Sequence, residues 1–310
     1  MVSYRTRGGF TLLLGSALLG LSGCTPDAGE ITTDTSSPSP APEGGPSGTF
    51  VVSLDHDGLE REAIVYVPES YSAAADTPLV LNFHGFGGIA RWHMEDGDLR
   101  PQADRSGGLL VIPQGANLDG SPHWNPVALG GDNKSDIDDF GFVEALLDAI
   151  QAAYPYNPDR VSAIGYSNGG MMALGLACSR SEWIASAGSV SGALLDDTCD
   201  LSHPMSIITL HGTRDSTIPY NGDGEYFSAV EVVDYWRGES GAEVGEMVVL
   251  EDGNTTIRHW PHEGGADGTA VHHYRVMGGE HIWYNFSSDG LTANDRIWDF
   301  LTAFSVNGRL

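Results

Sequence analysis

The stretch that decides the fold reads Arg160-Val-Ser-Ala-Ile-Gly165-Tyr-Ser167-Asn-Gly-Gly170-Met-Met-Ala-Leu-Gly-Leu-Ala-Cys178. A short apolar strand leads into a serine flanked by glycines, and an apolar segment of helical length follows. This order predicts a tight strand-to-helix turn that exposes the Ser167 hydroxyl at the end of a sheet. A serine held in this way is usually a nucleophile, which indicates a hydrolase. The alternative is a plain glycine-rich turn, because 41 of the 310 residues are glycine and short glycine motifs also arise by chance.

The rest of the chain alternates apolar strands with amphipathic helices. A hairpin is predicted around Asp57-Gly58, and helical periods run through 142–150 and 297–304. Short, continuously apolar runs are typical of a parallel sheet covered on both faces, and they occupy 79–83, 109–112, 161–164, 185–190 and 207–210. We therefore expect an α/β fold of the α/β-hydrolase type, a mostly parallel sheet with helices on both faces. The segment 179–211 is too short for a large lid domain, which predicts an open active site.

Acyl transfer by a serine requires donors for the tetrahedral oxyanion. The sequence His84-Gly85-Phe86-Gly87-Gly88 directly follows a predicted strand. Such a loop supplies one backbone N–H to an oxyanion hole, and the residue after the nucleophile supplies the second. We therefore expect the oxyanion hole to be formed by the amides of Phe86 and Asn168.

The expected acid and base lie further along the chain. Asp215 follows the carboxyl end of the strand at 207–210, where catalytic groups collect in open α/β sheets. His281 lies in a loop beyond a β-like run at 270–276, whereas His272 and His273 lie within that run. Asp215 and His281 are thus the expected acid and base, while His84 and His211, within HG turns, are expected to be structural. No paired spacing typical of metal ligands occurs, so we expect no metal and no cofactor.

Taken together, these motifs resemble the α/β-hydrolase esterases of the polyhydroxybutyrate depolymerase and feruloyl esterase group. The resemblance rests on the HGFGG loop at 84–88, the GYSNGGMM sequence at 165–172 and the HGTRD sequence at 211–215. It implies a triad of Ser167, Asp215 and His281 and a carboxylic ester as substrate, polymeric substrates included. One departure is Tyr284, which stands where the family usually has proline.

The N-terminal segment predicts export. Two arginines, a short apolar run and the ending Leu21-Ser22-Gly23-Cys24 resemble a bacterial lipoprotein signal peptide over residues 1–23. The resemblance implies that Cys24 is acylated and that the protein is extracellular, either anchored to the membrane by lipid or secreted. Residues 24–48 are rich in Ser, Pro and Gly and predict a flexible tether. Residues 49–310 are then expected to form the catalytic domain.

Cysteine content and charge narrow the interpretation further. With Cys24 lipidated, Cys178 and Cys199 remain as a pair, which predicts a disulfide in an oxidising compartment. The formal net charge of −27 argues against nucleic acid as a partner, because phosphates require compensating cations.

The sequence thus predicts an exported serine esterase that works through an acyl-enzyme. Alternatives are a peptidase or an acyltransferase of the same fold, and a non-catalytic binding protein of the cell envelope. The sequence does not distinguish a hydroxyalkanoate polyester from a feruloyl or acetyl ester as substrate.

Overall fold

The computed structural model describes residues 45–73, 76–118, 120–127 and 134–310. The expected signal peptide, Cys24 and most of the expected tether lie outside the described residues. Among the helices that are described, none is long and apolar enough to cross a membrane.

Within the described residues, the chain forms sixteen strands and six α-helices. The strands are β1 (Gly48–His56), β2 (Leu59–Val67), β3 (Leu79–Phe83), β4 (Leu109–Pro113), β5 (Ala116–Leu118), β6 (Ser121–His123), β7 (Val161–Tyr166), β8 (Ser186–Val190), β9 (Ser206–Gly212), β10 (Val248–Asp252), β11 (Thr255–His262), β12 (Val271–Val276), β13 (Ser287–Ser288), β14 (Leu291–Thr292), β15 (Phe304–Ser305) and β16 (Gly308–Arg309). The helices are α1 (Ala90–Asp96), α2 (Arg100–Ser106), α3 (Asp139–Ala153), α4 (Asn168–Ser179), α5 (Ala229–Ser240) and α6 (Ala293–Leu301).

The described part of the chain contains one sheet of ten strands, in the order β1-β2-β4-β3-β7-β8-β9-β12-β11-β10. The six central strands, from β4 to β12, run parallel, and an antiparallel hairpin flanks them on each side. The expected hairpin at Asp57-Gly58 is confirmed, with φ of 54° and 76° at the two residues. This positive-φ pair suits the right-handed twist of the two strands.

Helices cover both faces of the sheet, so the predicted fold class is confirmed. Helices α3, α4 and α5 bury Leu146, Met172 and Trp236 in the core on one face, while α2 and α6 bury Ala103 and Ile297 on the other. The strands between these cores are continuously buried, which explains their unbroken apolar runs. No large lid domain lies over the sheet in the described part of the chain.

One helix expectation needs adjustment, at the end of α6, while the start of α3 has a defined cap. Helix α3 begins after Asp138, whose side chain accepts from the amide of Gly141, whereas Asp139 forms a buried 2.7 Å ion pair with Arg61. Helix α6 ends at Leu301, so Phe304, which was expected to continue its apolar face, lies in β15. Phe304 still packs in the same core as α6, and for this reason it matched the helical period.

The expected disulfide between Cys178 and Cys199 is confirmed. Their Cα atoms lie 4.6 Å apart, and the bond joins the last turn of α4 to the segment that follows β8. The bond therefore links the C-terminal end of α4, the helix that begins directly after Ser167, to the connection between β8 and β9.

The strand order places the candidate residues at one edge of the sheet. The chain reverses its direction of winding at β3, with β4 on one side and β7 on the other. At such a switch point the loops after neighbouring strands separate and leave a crevice. The HGFGG loop follows β3, Ser167 follows β7, Asp215 follows β9 and His281 follows β12, all at carboxyl ends of parallel strands.

Candidate active site

Ser167 occupies the turn between β7 and α4 in a strained backbone conformation. Its φ of 54° and ψ of −120° lie in a region that residues with a Cβ rarely adopt. Both flanking glycines are required by close approach, since a Cβ on Gly165 would overlap the backbone of Gly169, and a Cβ on Gly169 would overlap the carbonyl of Phe83. The packing of β3, β7 and α4 thus forces the turn that the sequence predicted.

His281 connects Ser167 to Asp215. Its Nε2 lies 2.9 Å from Ser167 Oγ, and its Nδ1 lies 2.7 Å from Asp215 Oδ2. Because a carboxylate only accepts, Nδ1 carries the proton and Nε2 is free to accept from the serine hydroxyl. The arrangement can therefore withdraw a proton from Ser167 as the hydroxyl attacks an electrophile.

Asp215 is buried but remains ionised. Burial alone would raise its pKa, yet hydrogen bonds from His211 and His281 and from the backbone amides of Ile218 and Thr217 hold the pKa well below its usual range. Both amides lie 2.9 Å from Oδ1, which leaves Oδ2 to face the two imidazoles. A fixed negative charge therefore orients His281 and would stabilise its protonated form.

The expected oxyanion donors lie on the loops on either side of Ser167. Within the described part of the chain, no hydrogen-bond acceptor is found for the amide N–H of Phe86 or of Asn168. The HGFGG loop lies directly against the nucleophile, because a Cβ built on Gly85 would be 3.4 Å from the Cβ of Ser167. The two amides are thus available to a ligand oxygen beside Ser167.

Sequence reasoning missed the role of the Asn168 side chain. Its Oδ1 accepts from the Trp124 amide at 2.8 Å, and its Nδ2 donates to the Trp124 carbonyl at 3.0 Å. This two-point clamp fixes the segment after β6 against the start of α4. An amide side chain both donates and accepts in one plane, and its position directly after Ser167 is the signal that could have identified it.

His84 locks the HGFGG loop. Its Nε2 accepts from the Gly115 amide at 2.9 Å, so its Nδ1 carries the proton and donates to the Gly85 carbonyl at 2.7 Å. Burial lowers the pKa of His84 to about 4, which keeps the ring neutral. The indole N–H of Trp124 holds the His84 carbonyl at 2.9 Å. The structural role expected for His84 agrees with these contacts.

The loop that carries His281 is fixed from several sides. The Tyr166 hydroxyl donates to the His281 carbonyl at 2.8 Å, and its ring lies against the imidazole. The indole of Trp283 donates to Asn294 and packs against Gly97, so this tryptophan lies away from the cleft described next. Tyr284, which stands where the depolymerase and feruloyl esterase group usually has proline, is buried beneath the loop that carries His281.

A cleft of about 630 Å³ opens beside Ser167. The charged side chains along it are Lys134, Asp196 and Glu225, and Lys134 Nζ lies 5.5 Å from the ring centroid of Phe86. Most of its walls are apolar and are formed by Phe86, Trp124, Pro126, Val127, Met171, Leu195, Ile218 and Tyr226. Such walls suit an uncharged chain or ring attached to the reacting group.

His272 and His273, which lie within the β-like run before His281, stand apart from the site. His273 is buried and bonded on both ring nitrogens, to Thr209 and Tyr220, while His272 pairs with Glu263. In the described ranges, the groups that could together ligate a metal are confined to His56 with Asp57 and Asp138, on the first hairpin and the start of α3. The site at Ser167 therefore offers no metal-binding cluster among these residues.

Sequence comparison agrees with this geometry. The family model described as "Putative esterase" matches residues 58–205, which span β2 to the segment after β8 and include the HGFGG loop and Ser167. The chain has an α/β-hydrolase fold, and residues 58–205 are similar to this esterase family. Asp215 and His281 lie beyond the matched residues, so their assignment rests on the structure and on the resemblance stated above.

Individual curated esterases are similar to the chain over part of its length. Putative esterase NocK of Nocardia uniformis subsp. tsuyamanensis is 34% identical over 147 residues, which is 47% of this chain and 42% of that protein. A probable feruloyl esterase C of Aspergillus clavatus is 27% identical over 212 residues, covering 68% of this chain and 72% of that protein. The match thus spans less than half of the Nocardia protein.

Solved esterase structures share the fold. An acetyl xylan esterase from Aspergillus awamori superimposes with a TM-score of 0.58 at 14% identity, over 81% of this chain and 98% of that one. A ferulic acid esterase from Anaeromyces mucronatus gives a TM-score of 0.53 at 13% identity, over 84% and 91% of the two chains. At this level of identity the likeness concerns the fold alone.

Proposed function

We propose that this protein hydrolyses carboxylic esters through an acyl-enzyme formed on Ser167. The observation that carries the proposal is the continuous hydrogen-bond chain from Ser167 Oγ through both nitrogens of His281 to Asp215, with separations of 2.9 and 2.7 Å. It lies at the carboxyl edge of the sheet, beside an open cleft and two available amides. This combination supplies every group that acyl transfer by a serine requires.

In the first half of the reaction, Ser167 Oγ attacks the ester carbonyl as its proton moves to His281 Nε2. The carbonyl oxygen becomes an oxyanion, which the Phe86 and Asn168 amides stabilise by about 3 kcal/mol each. The protonated imidazole, held by Asp215, then gives its proton to the departing alcohol oxygen. The C–O bond breaks and leaves the acyl group on Ser167.

In the second half, a water molecule occupies the place of the alcohol. His281 Nε2 accepts a proton from this water as its oxygen attacks the acyl carbon, and the same two amides bind the new oxyanion. The proton then returns to Ser167 Oγ as the acyl bond to serine breaks. The free acid leaves, and the enzyme regains its starting protonation state.

We propose an ester of an aromatic acid such as ferulate as the substrate class. Support comes from the apolar and aromatic cleft walls, which include Phe86, Trp124 and Tyr226. The name of the feruloyl esterase relative from Aspergillus clavatus points the same way. Hydroxybutyrate oligomers are the second substrate to test, because the motif resemblance includes polyester depolymerases.

We also propose that the enzyme works outside the cytoplasm, tethered by a lipid on Cys24. The disulfide between Cys178 and Cys199 supports an oxidising compartment. Mass spectrometry of the mature N-terminal peptide checks the lipid, with Cys24→Ser as the control. An unmodified Cys24, or a mature chain that begins elsewhere, would contradict the anchor and leave the esterase proposal untouched.

The decisive experiment measures the acid released from methyl ferulate and from hydroxybutyrate oligomers by the purified protein. Ser167→Ala should lower the rate roughly a millionfold, because the nucleophile is lost. Ser189→Ala is the matched control, since this serine is also buried and its hydroxyl has no partner among the described residues. Release of ferulate alone would support the proposed substrate class, and release of hydroxybutyrate alone would overturn it.

The same preparation separates the alternatives. Cleavage of an aminoacyl anilide without ester hydrolysis would identify a peptidase. Turnover that rises when an acceptor alcohol is added would identify an acyltransferase. Failure of a fluorophosphonate to label Ser167 would indicate a binding protein without catalysis.

A further inference from the structure

We propose that Tyr284 is a positioning residue whose hydroxyl holds His281 between Asp215 and Ser167. The inference rests on the proposed function. Tyr284 follows His281 by three residues and is only 4% exposed. It does not line the cleft beside Ser167. Its polar atom is therefore directed into the protein at the base of the loop that carries the imidazole.

The hydroxyl of Tyr284 closes this loop on itself. It donates to the carbonyl oxygen of Glu280 at 2.5 Å, and Glu280 directly precedes His281. The same carbonyl accepts from the amide of Ile282 at 3.0 Å. The backbone on both sides of His281 is thus held by hydrogen bonds to one oxygen, and the Tyr284 phenol is one of its two donors.

The same hydroxyl faces the elements that carry the other catalytic groups. The Ser191 hydroxyl, directly after β8, donates to the Ile282 carbonyl at 3.3 Å, and its oxygen lies 3.5 Å from the Tyr284 hydroxyl. On the other side, a Cβ on Gly212 would overlap the hydroxyl oxygen, so the phenol sits directly against the end of β9, three residues before Asp215. The hydroxyl therefore lies where the Asp215 and His281 loops meet.

Loss of the hydroxyl should change catalysis more than binding. The carbonyl of Glu280 would lose its nearest donor, and the His281 loop would move relative to Ser167 and Asp215. Small displacements of a catalytic base lower the chemical rate strongly, because proton transfer needs a narrow range of distances. Substrate affinity depends on the cleft walls, which Tyr284 does not form.

The test compares Tyr284→Phe with Tyr156→Phe in the full mature protein. Tyr156 is a matched control, since it is also buried and its hydroxyl donates to a backbone carbonyl, that of Leu147, at 3.2 Å. We expect Tyr284→Phe to lower kcat about tenfold and to slow fluorophosphonate labelling similarly. KM should stay within about twofold of the unsubstituted value. Tyr156→Phe should lower Tm comparably but leave kcat and labelling unchanged.

Equal losses of kcat in both variants, or an unchanged kcat in Tyr284→Phe, would overturn the inference while the esterase proposal stands. Absence of both hydrolysis and labelling in the unsubstituted protein would overturn both. If Tyr284→Phe folds poorly, Ser191→Ala alone provides the second test. It should lower kcat about threefold and leave KM unchanged, because it removes a polar contact of the Tyr284 hydroxyl. An unchanged kcat in Ser191→Ala would contradict the inference.

Discussion

His211 Nε2 lies 3.3 Å from Oδ2 of Asp215, the same oxygen that receives the hydrogen bond from His281. The same nitrogen lies 2.8 Å from the carbonyl oxygen of Ile218, which can only accept, so Nε2 carries a proton. His211 therefore adds a donor behind the carboxylate and keeps it ionised and oriented towards His281. His211, which lies in an HG turn and was expected to be structural, thus contacts the candidate acid directly.

Substitution of His211 should weaken catalysis through Asp215. We expect His211→Leu to lower kcat/KM about tenfold, since the carboxylate loses a donor and becomes easier to protonate. The acid limb of the pH–rate profile should also move to higher pH. The control is His211→Gln, whose amide can place a donor near the position of Nε2. Equal activity of the leucine and glutamine variants would contradict this role.

The cleft should discriminate against negatively charged esters. Asp196 and Glu225 line it, and Asp223 and Glu231 continue along the adjoining depression, with Lys134 as the counter-charge among the described lining residues. The chain has a net charge of −27, and the negative potential of the cleft should repel an anionic ester. We therefore expect kcat/KM for an anionic ester to be roughly threefold to tenfold lower than for a neutral one at low salt.

Matched ferulate esters of a neutral and of a carboxylate-bearing alcohol provide the measurement. Added salt should narrow the difference in kcat/KM between the two esters, because exposed charges are screened. Glu225→Gln should also narrow the difference in kcat/KM, while Glu60→Gln, at the exposed start of β2, should not. A preference for the anionic ester would indicate that Lys134 dominates the cleft.

Reduction of the Cys178–Cys199 bond should lower stability without abolishing catalysis. A bond across a separation of 21 residues contributes about 3 kcal/mol in the chain-entropy description. For a domain of this size, the corresponding loss in Tm is roughly 5–15 °C. Activity at 25 °C should persist, because the bond lies at the far end of α4 from Ser167. Thermal melts with and without reductant, and of Cys178→Ser/Cys199→Ser, test this. An unchanged Tm would contradict the expected contribution.

Stability should fall as pH is lowered from about 6.5 to 4. Burial lowers the pKa of His84 to about 4 and of His93, His259 and His273 to about 3, against an ordinary value of 6.5. In this window the unfolded chain binds protons that the folded chain excludes, so the stabilisation present above pH 6.5 is lost towards the folded pKa values. Each such histidine adds a slope of up to about 1.4 kcal/mol per pH unit.

Urea unfolding at pH 7.5, 6 and 5 measures this slope. The control is His259→Phe, which keeps a ring stacked on Tyr274 but removes one titrating group. The free energy of unfolding of this variant should change less steeply with pH than that of the unsubstituted protein, by an amount that corresponds to about one proton. A free energy of unfolding that does not vary between pH 7.5 and 5 would contradict the prediction.

The sequence by itself predicted the main strands and helices and indicated Ser167 as the candidate nucleophile. Gly165 and Gly169 allow a strand and a helix to approach more closely than residues with a Cβ would permit. The continuous apolar runs can be buried only in a sheet that is covered on both faces. Chain order then placed Phe86, Ser167, Asp215 and His281 after strands that share one edge. These inferences depend on local backbone and burial requirements, which a single segment of sequence carries.

The tertiary structure alone decided the contacts around that site. His281 lies 114 residues from Ser167 and 66 from Asp215, and the parallel order of β7, β9 and β12 brings them within hydrogen-bond distance. The same packing placed His211 behind the carboxylate and the Tyr284 hydroxyl against Gly212. Such contacts join residues that are distant in sequence and depend on side-chain packing at the meeting of several loops. Local sequence patterns do not encode that packing.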